Sequence, residues 1–449
     1  MNITVINGSP KGQYSITLQT VKYLELLFPE HSFEYINAAR SIRAFEKNFA
    51  PAEEALMRGD IILFSYPVYT FLVPSQLHRF IELIEENGVS LAGKICSQIS
   101  TSKHFYDVTA HRFIEENCGD LGMRYVRGLS ADMDDLTTEK GRKEAEGFFR
   151  YLLFCAENGI FEKTAEKLPF APVPVTEVIE NRMAKRGDVV IVADMDEENG
   201  SLADMVRRFR VVSDRNTRVI NLRGMRLDGG CLGCLSCSVS GKCVYKDGFE
   251  DRLRNEIQSA DAVVYAFEIK NHSMGSLFKT YDDRQFCNGH RTVTMGKPTA
   301  YIISGPISRE ENLRLVINGR SEAGGNFLAG IVSDETDPDF TADETAKKLS
   351  YALDNGYTQP ANFLGVGGIK IFRDLIYMMR GMMKADHKFY KQHGLYDFPQ
   401  KKKGTSAAMY LVGGLFGNEK IKAKMGNKMN EGMLMPYKKV LDGVKSSRR

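Results

Sequence analysis

Short apolar runs alternate with helically spaced stretches along most of the chain. Residues 3–6 read as a buried strand, and the turn Asn7-Gly8-Ser9-Pro10-Lys11-Gly12 follows it. Over 17–27, Leu18, Val21, Leu24 and Leu27 recur on one side, the spacing of an amphipathic helix. Strands are expected at 32–36, 60–64, 95–100 and 124–129, with helices at 52–57 and 74–86. Strands separated by helices favour a parallel sheet covered on both faces.

The stretch 167–175, KLPFAPVPV, holds three prolines and reads as an extended linker. The alternation then begins again. Strands are expected at 189–193, 219–222, 262–267, 300–304 and 327–332, and helices at 202–211, 249–259, 309–318 and 342–354. The pattern predicts an α/β chain of two doubly wound parallel-sheet domains, 1–165 and 186–357, joined by a linker at 166–185. Residues 358–449 form a Met-, Gly- and Lys-rich extension without a strand pattern, and 9 of the 19 methionines lie beyond Asn362.

The length of 449 residues leaves room for two or three domains. No run of about 18 apolar residues marks a transmembrane helix. The start, MNITVING, lacks the basic and apolar regions of a secretory signal, so a cytoplasmic protein is expected. The net charge of +3 hides an asymmetry: from Ile369 onward there are 18 Lys/Arg against 6 Asp/Glu. Such a tail either contacts an anionic surface or rests on the acidic remainder of the chain. It is expected to be dispensable for cofactor binding. Of the eight cysteines, Cys231, Cys234, Cys237 and Cys243 cluster and the rest are scattered, which argues for a reducing compartment and a metal site rather than a disulfide framework.

The loop Asn7–Thr17 joins the first strand to the first helix, where a doubly wound sheet opens its ligand crevice. It is neither a P-loop nor a three-glycine dinucleotide loop. Hydroxyl donors, one Lys and helix amides suit a monophosphate such as that of FMN, or simply a turn capped by Ser15 or Thr17. Across the same crevice edge, Ser65-Tyr66-Pro67-Val68-Tyr69-Thr70-Phe71 and Thr101-Ser102-Lys103-His104-Phe105-Tyr106 supply aromatics able to cover a flat ring, or to close the core.

The strings NGSPKGQYSIT and SYPVYTFLVPSQLHRFIELI resemble the NAD(P)H-dependent FMN reductase and flavodoxin-like oxidoreductase family over roughly residues 1–160. The resemblance implies two tandem flavodoxin-like domains, with Ser9, Lys11, Ser15, Ile16 and Thr17 on the FMN phosphate. Pro67, Val68, Tyr69 and Thr70 would line the isoalloxazine, and Ser102 and Phe105 in the third loop complete the candidate set. Where family members often carry Asn-Thr in the phosphate loop, this chain has Ser15-Ile16-Thr17.

Cys231-x2-Cys234-x2-Cys237-x5-Cys243 is the sharpest motif. Its core resembles the ligand run of [4Fe–4S] proteins. Zinc accepts the same thiolates, and an unliganded thiol loop satisfies the spacing too. The surrounding string CLGCLSCSVSGKCVYKDGFEDRLRNEIQSADAVVYA and FKTYDDR at 278–284 resemble the iron–sulfur flavoprotein branch of the superfamily. The equivalent phosphate loop of the second domain, Asp194–Ser201, carries four acids that would repel a phosphate, so FMN is expected in the first domain alone.

The expectation is an enzyme that takes hydride from NAD(P)H onto FMN and passes electrons to a flavin, quinone or cluster. No side-chain acid or base is assigned to that step. The alternatives are an iron–sulfur electron carrier for a protein partner and a non-enzymatic FMN- or metal-binding sensor. A nicotinamide cofactor, a small-molecule or protein electron acceptor and a homo-oligomeric state are expected.

Overall fold

The computed structural model describes residues 1–163, 168–178, 184–196, 200–416 and 428–447. In the first sheet, β1 (Asn2–Asn7), β2 (Ser32–Ile36), β3 (Ile61–Pro67), β4 (Ile95–Ser102) and β5 (Arg124–Tyr125) stand in the order 2-1-3-4-5, and β6 (Leu129–Asp132) also pairs with β4. All these pairs are parallel. The second sheet repeats that order with β8 (Arg215–Asn221), β7 (Arg186–Asp194), β9 (Ala262–Lys270), β11 (Pro298–Ser304) and β12 (Phe327–Ser333). A two-residue strand, β10 (Ser273–Met274), folds back antiparallel on β9.

Helices of nine residues or more are numbered among the described residues as α1 (Ile16–Leu27), α2 (Ala50–Arg58), α3 (Ser75–Glu86), α4 (Asp107–Asp120), α5 (Glu139–Asn158), α6 (Ser201–Val212), α7 (Ser276–Arg284), α8 (Glu311–Gly324), α9 (Pro338–Asn355), α10 (Phe363–Met378), α11 (Lys384–Gln392), α12 (Lys403–Phe416) and α13 (Lys428–Ser447). Helices α1 and α5 cover the outer face of the first sheet, through Leu18, Val21, Phe149 and Leu152. Helices α6 and α9 cover the outer face of the second, through Met205, Phe209, Ala346 and Leu349. The inner helices face one another, α3 against α7 and α4 against α8, and a single apolar core runs from Phe64 and Phe80 to Phe278 and Ile317. Each such aromatic contributes about 1.5–3 kcal/mol by burial, so neither sheet keeps its inner face dry alone.

Two departures from the sequence pattern have local causes. The strand expected over 124–129 is broken: β5 pairs with Ile95 and Cys96, β6 with Ile99–Ser102. Between them Gly128 lies against the Gln98 backbone, where a Cβ would collide, and the chain turns away from the ladder. The helix expected over 249–259 begins as Phe249–Arg252 and widens into a π-helical turn over Leu253–Ile257. The described part of the proline-rich stretch is strapped to the second sheet, Val173 N–H donating to the Asp334 carbonyl at 2.7 Å and Thr176 N–H to Asp339 at 3.1 Å.

The extension expected from residue 358 is not uniform. The chain divides into compact units of Met1–Tyr390 and Lys391–Arg449. Helix α10 crosses α8, with Gly365 against the Glu322 carbonyl and Gly368 against the Phe105 ring, positions where a Cβ would be too close. Among the described residues no helix is long and apolar enough to cross a membrane.

Candidate functional site

A cavity of about 450 Å³ opens at the carboxyl ends of the first sheet's strands, a size within the range of ligand pockets. Ser9, Lys11, Ser15, Ile16, Thr17, Pro67, Val68, Tyr69, Thr70, Ser102 and Phe105 all line it, and so do Cys231, Cys234, Cys237 and Cys243. Residues more than 200 positions apart therefore share one wall.

On the first-domain side, the Ser15 hydroxyl caps α1 by accepting from Leu18 N–H at 3.4 Å, and Thr17 and Thr101 hydroxyls bond at 2.6 Å. Ser9 accepts from Lys11 N–H at 3.3 Å. Lys11 has no acidic partner among the described residues and lies beside Gly233. A helix N-terminus, three hydroxyls and an uncompensated ammonium suit an anion. Among the described residues seven non-glycine positions carry positive φ: Thr70, Phe71, His104, Tyr106, Leu235, Asn271 and His272. Four belong to the two aromatic loops and one to the cysteine loop. Such backbone costs about 1–3 kcal/mol per residue and persists where the surroundings over-determine it, as at ligand clamps.

The second domain presses its cysteine loop onto these loops. Gly233, at φ 62°, packs on the Tyr69 hydroxyl so closely that no side chain fits. Its N–H donates to Cys231 Sγ at 3.4 Å, and Gln76 donates to the Cys231 carbonyl at 3.3 Å. Cys234 is exposed, while Cys231, Cys237 and Cys243 are partly covered. Burial pushes the Cys231 thiol up to about 12 and raises Cys237, with Asp386 adding to the latter. Any ion taken up there must displace those protons. A fifth cysteine lines the same cavity: Cys287, buried, is also pushed up to about 12 by burial and senses Cys243 and Cys237. Cys96, Cys118 and Cys155 are buried in the first domain, apart from this wall.

Several site residues were not singled out individually from the sequence. Lys279 and Asp283, both fully buried, form an ion pair directly behind the aromatic loop. Lys279 donates to the Tyr69 carbonyl at 2.9 Å, and the Thr70 hydroxyl donates to Asp283 at 2.5 Å. Arg284 pairs with Asp247 at 2.8 Å and donates to the Gly229 carbonyl at 2.9 Å, fixing the start of the cysteine loop. Lys279, Asp283 and Arg284 all lie in the FKTYDDR string, which the sequence reading noted for its resemblance without assigning these side chains a role. The extension contributes too. Asp386 of α11 holds Arg291 and His290 at 3.2 Å each, Arg291 reaches the Cys237 carbonyl at 3.4 Å, and Phe372 stacks edge-on against Phe105 at 5.0 Å. Ile369, Phe372, Met379 and Met383 line the cavity. Helix α10 and the segment leading into α11 thus supply part of the cavity wall, in a stretch that the sequence pattern set apart as an extension.

At the corresponding crevice of the second sheet the described side chains pair with their own neighbours. Asp194 pairs with Arg223 at 2.9 Å, and Asn221 donates to the Met195 carbonyl at 2.9 Å. The acidic loop's remaining residues at 197–199 lie outside the described residues. His272, at the β9–β10 turn, bonds Glu310 at 3.1 Å and Asp120 of the first domain at 3.2 Å. Of the other histidines noted, His104 pairs with Asp107 at 2.9 Å and His111 bonds Ser100 at 2.7 Å.

Residues 1–145 match a family model described as the flavodoxin-like fold. Both domains are flavodoxin-like. The repeated 2-1-3-4-5 order carries the flavodoxin-like description to the second domain. An iron–sulfur flavoprotein of Archaeoglobus fulgidus is 26% identical over 173 residues, 36% of this chain and 78% of that protein. An FMN-dependent NADH-azoreductase from Bacillus anthracis in complex with FMN is 13% identical, covering 36% of this chain and all of that one, with a TM-score of 0.26. An NAD(P)H:quinone oxidoreductase from Methanothermobacter marburgensis is 11% identical, covering 37% of this chain and 99% of that one, with a TM-score of 0.28.

Proposed function

We propose that this chain is an FMN-dependent oxidoreductase that draws hydride from NAD(P)H and delivers electrons to a flavin, quinone or metal-centre acceptor. The observation that carries the reading is the convergence of the phosphate-type loop, two aromatic loops and four cysteines on one cavity. Ser9, Lys11, Ser15, Ile16 and Thr17 would hold the phosphate; Pro67, Val68, Tyr69, Thr70, Ser102 and Phe105 would frame the ring. FMN, when bound, supplies the capacity to accept a hydride and return electrons singly or in pairs. The residues of this chain orient that ring and limit water around it. Burial, with Cys231 and Asp283 adding to it, holds the Tyr69 hydroxyl protonated, so it can donate a hydrogen bond across the physiological range. Lys279 and Asp283 keep the loop carrying Tyr69 in place from behind.

A second reading, an electron carrier with a metal centre on Cys231, Cys234, Cys237 and Cys243, is favoured by the cysteine loop sharing the flavin wall. The relative's name, iron–sulfur flavoprotein, agrees with it. The test is anaerobic purification with flavin, iron and zinc analysis and an assay of NAD(P)H oxidation. One FMN per chain with turnover supports the enzyme. Iron at four per chain, lost on Cys231→Ser but retained in Cys96→Ser, supports the relay. Protein that neither binds added FMN nor oxidises NAD(P)H would overturn the first reading.

A further inference from the structure

Helices α12 and α13 differ in kind from every helix of the two domains. Each described side chain of both is exposed, 403–414 in α12 and 434–446, except 436 and 439, in α13. Yet their sequences are not those of solvated helices. In α12, Met409, Tyr410 and Leu411 are 59%, 83% and 73% exposed. In α13, Leu434, Tyr437, Leu441 and Val444 fall on one stripe at i, i+3, i+7 and i+10, with Val440 beside it. Lys438 and Lys445 border the stripe. Isolated helices of this length are marginal in water, and apolar stripes of this size on a protein surface mark a contact.

The charge identifies the contact. Residues 391–449 carry 13 Lys/Arg against 4 Asp/Glu, while residues 1–390 carry 47 against 53. Lys401, Lys402 and Lys403 stand at the start of α12. At 1.5 Å per residue its 14 residues span about 21 Å, short of the roughly 30 Å hydrocarbon core. The 20 residues of α13 are long enough to span but carry charges such as Lys438, Asp442 and Lys445, and no described helix is both long and apolar enough to cross. Helices that combine an apolar stripe with bordering lysines and tyrosines, and that cannot span, lie in the plane of a membrane surface. Nucleic acid would use the charge and leave the apolar stripe wet. A second copy would bring two basic faces together.

We propose that α12 and α13 dock onto an anionic bilayer surface, with the apolar side chains in the acyl boundary and the lysines among the headgroups. Each lysine near an anionic surface contributes attraction that salt screens. The inference stands independently of the flavin reading.

The test is flotation of the full-length protein with vesicles of pure phosphatidylcholine or of phosphatidylcholine with 30% (about one lipid in three) phosphatidylglycerol. Light scattering of the free protein is measured alongside. Binding to the anionic vesicles is expected, at least about tenfold above neutral ones, and to weaken as salt rises. Leu434→Glu with Leu441→Glu, and separately Lys401→Gln, Lys402→Gln and Lys403→Gln together, should each reduce it by about tenfold or more. The far-ultraviolet circular dichroism and thermal melt of each variant should match those of the native chain, which separates failure of docking from failure of the fold. Equal binding to neutral vesicles, no binding to either, or insensitivity to the leucine pair would overturn the proposal. So would concentration-dependent self-association that the leucine pair abolishes, since the occupant would then be a second copy.

Discussion

The two domains share a sheet order and differ in what stands at the crevice. In the first, the β1–α1 loop offers Ser9, Ser15 and Thr17 hydroxyls to an open cavity, with a Lys11 that has no acidic partner among the described residues. In the second, Asp194 and Arg223 neutralise each other, and β10 folds onto β9 where the first domain has its aromatic loop. The second domain has instead sent the loop after its second strand outward, bearing four cysteines, onto its neighbour's site. A repeated fold is thus not a repeated site. One copy supplies the pocket and the other supplies part of its lining.

Where the copies meet, the symmetry survives in detail. Ser75 N–H, at the start of α3, donates to Asp283 of α7 at 2.7 Å. Ser276 N–H, at the start of α7, donates to Glu82 of α3 at 2.7 Å. Each acid lies seven residues after the serine of its own helix, so the antiparallel pair caps itself reciprocally. An anionic acceptor at a helix N-terminus is favoured by both hydrogen bond and dipole. The surroundings differ: Asp283 sits with Lys279 behind Tyr69 and Thr70, whereas Glu82 is bridged by the partly exposed Arg79 at 3.0 Å.

That difference gives the largest expected effect. Asp283→Ala should cost about 3–5 kcal/mol, because Lys279 is left buried without its counter-charge, and should release flavin. Glu82→Ala should cost about 1–3 kcal/mol, since Arg79 keeps Glu46 and Glu86, and should leave flavin in place. Urea midpoints and flavin content of the two variants measure this. Equal flavin loss in both would erase the distinction drawn between the two ends of the helix pair.

A smaller effect is expected at the phosphate loop. Lys11→Ala with Ser15→Ala should weaken FMN by about 10- to 100-fold while riboflavin binding changes little, as charge-assisted bonds to a phosphate are each worth about 1.5–3 kcal/mol at most. Arg223→Ala, at the matching crevice of the second domain, should alter neither. Fluorescence titration of both ligands against the three proteins decides it, and an equal loss for riboflavin would remove the phosphate from that loop.

The smallest effect concerns pH. Burial lowers the affinity of His272 for its proton, but bonds to Asp120 and Glu310 outweigh it and raise the group from 6.5 to about 10. Glu116, pushed up to about 7 by burial, faces the same imidazole, with Arg112 opposing. A raised histidine stabilises fully below its free value and loses that contribution as pH climbs through 10. The Tm of the native chain should therefore fall a few degrees further between pH 6.5 and 10 than that of His272→Gln. Parallel curves would mean the domains are not held by this ion cluster.

Much of the scaffold was legible because it rests on local pattern. The apolar runs at Ile3–Ile6 and Ile61–Phe64 and the single-sided leucines of α1 became two strands and a helix close to the expected limits. The three candidate loops and the cysteine motif could be found for the same reason, since each is contiguous. Their convergence could not, because it depends on the packing of α3 against α7. Helices α4 and α5 were missed, as their apolar residues are diluted by Glu, Asn, Lys and Arg on faces that the fold leaves exposed. Asp386 gave no sign at all: a lone acid in a basic stretch reads as solvated, and only the fold buries it against Arg291.

The reciprocal caps have a consequence for how such a molecule can change. In a homodimer with a two-fold interface every substitution is made twice, so a loop that spoils one site spoils both. Here Ser75 answers to Asp283 and Ser276 to Glu82, four separately encoded positions. Either half can drift while the other stays fixed. A cap can be exchanged, a crevice closed or a cysteine loop lengthened on one side alone. Covalent linkage of the two halves is thus what makes an unequal pair heritable.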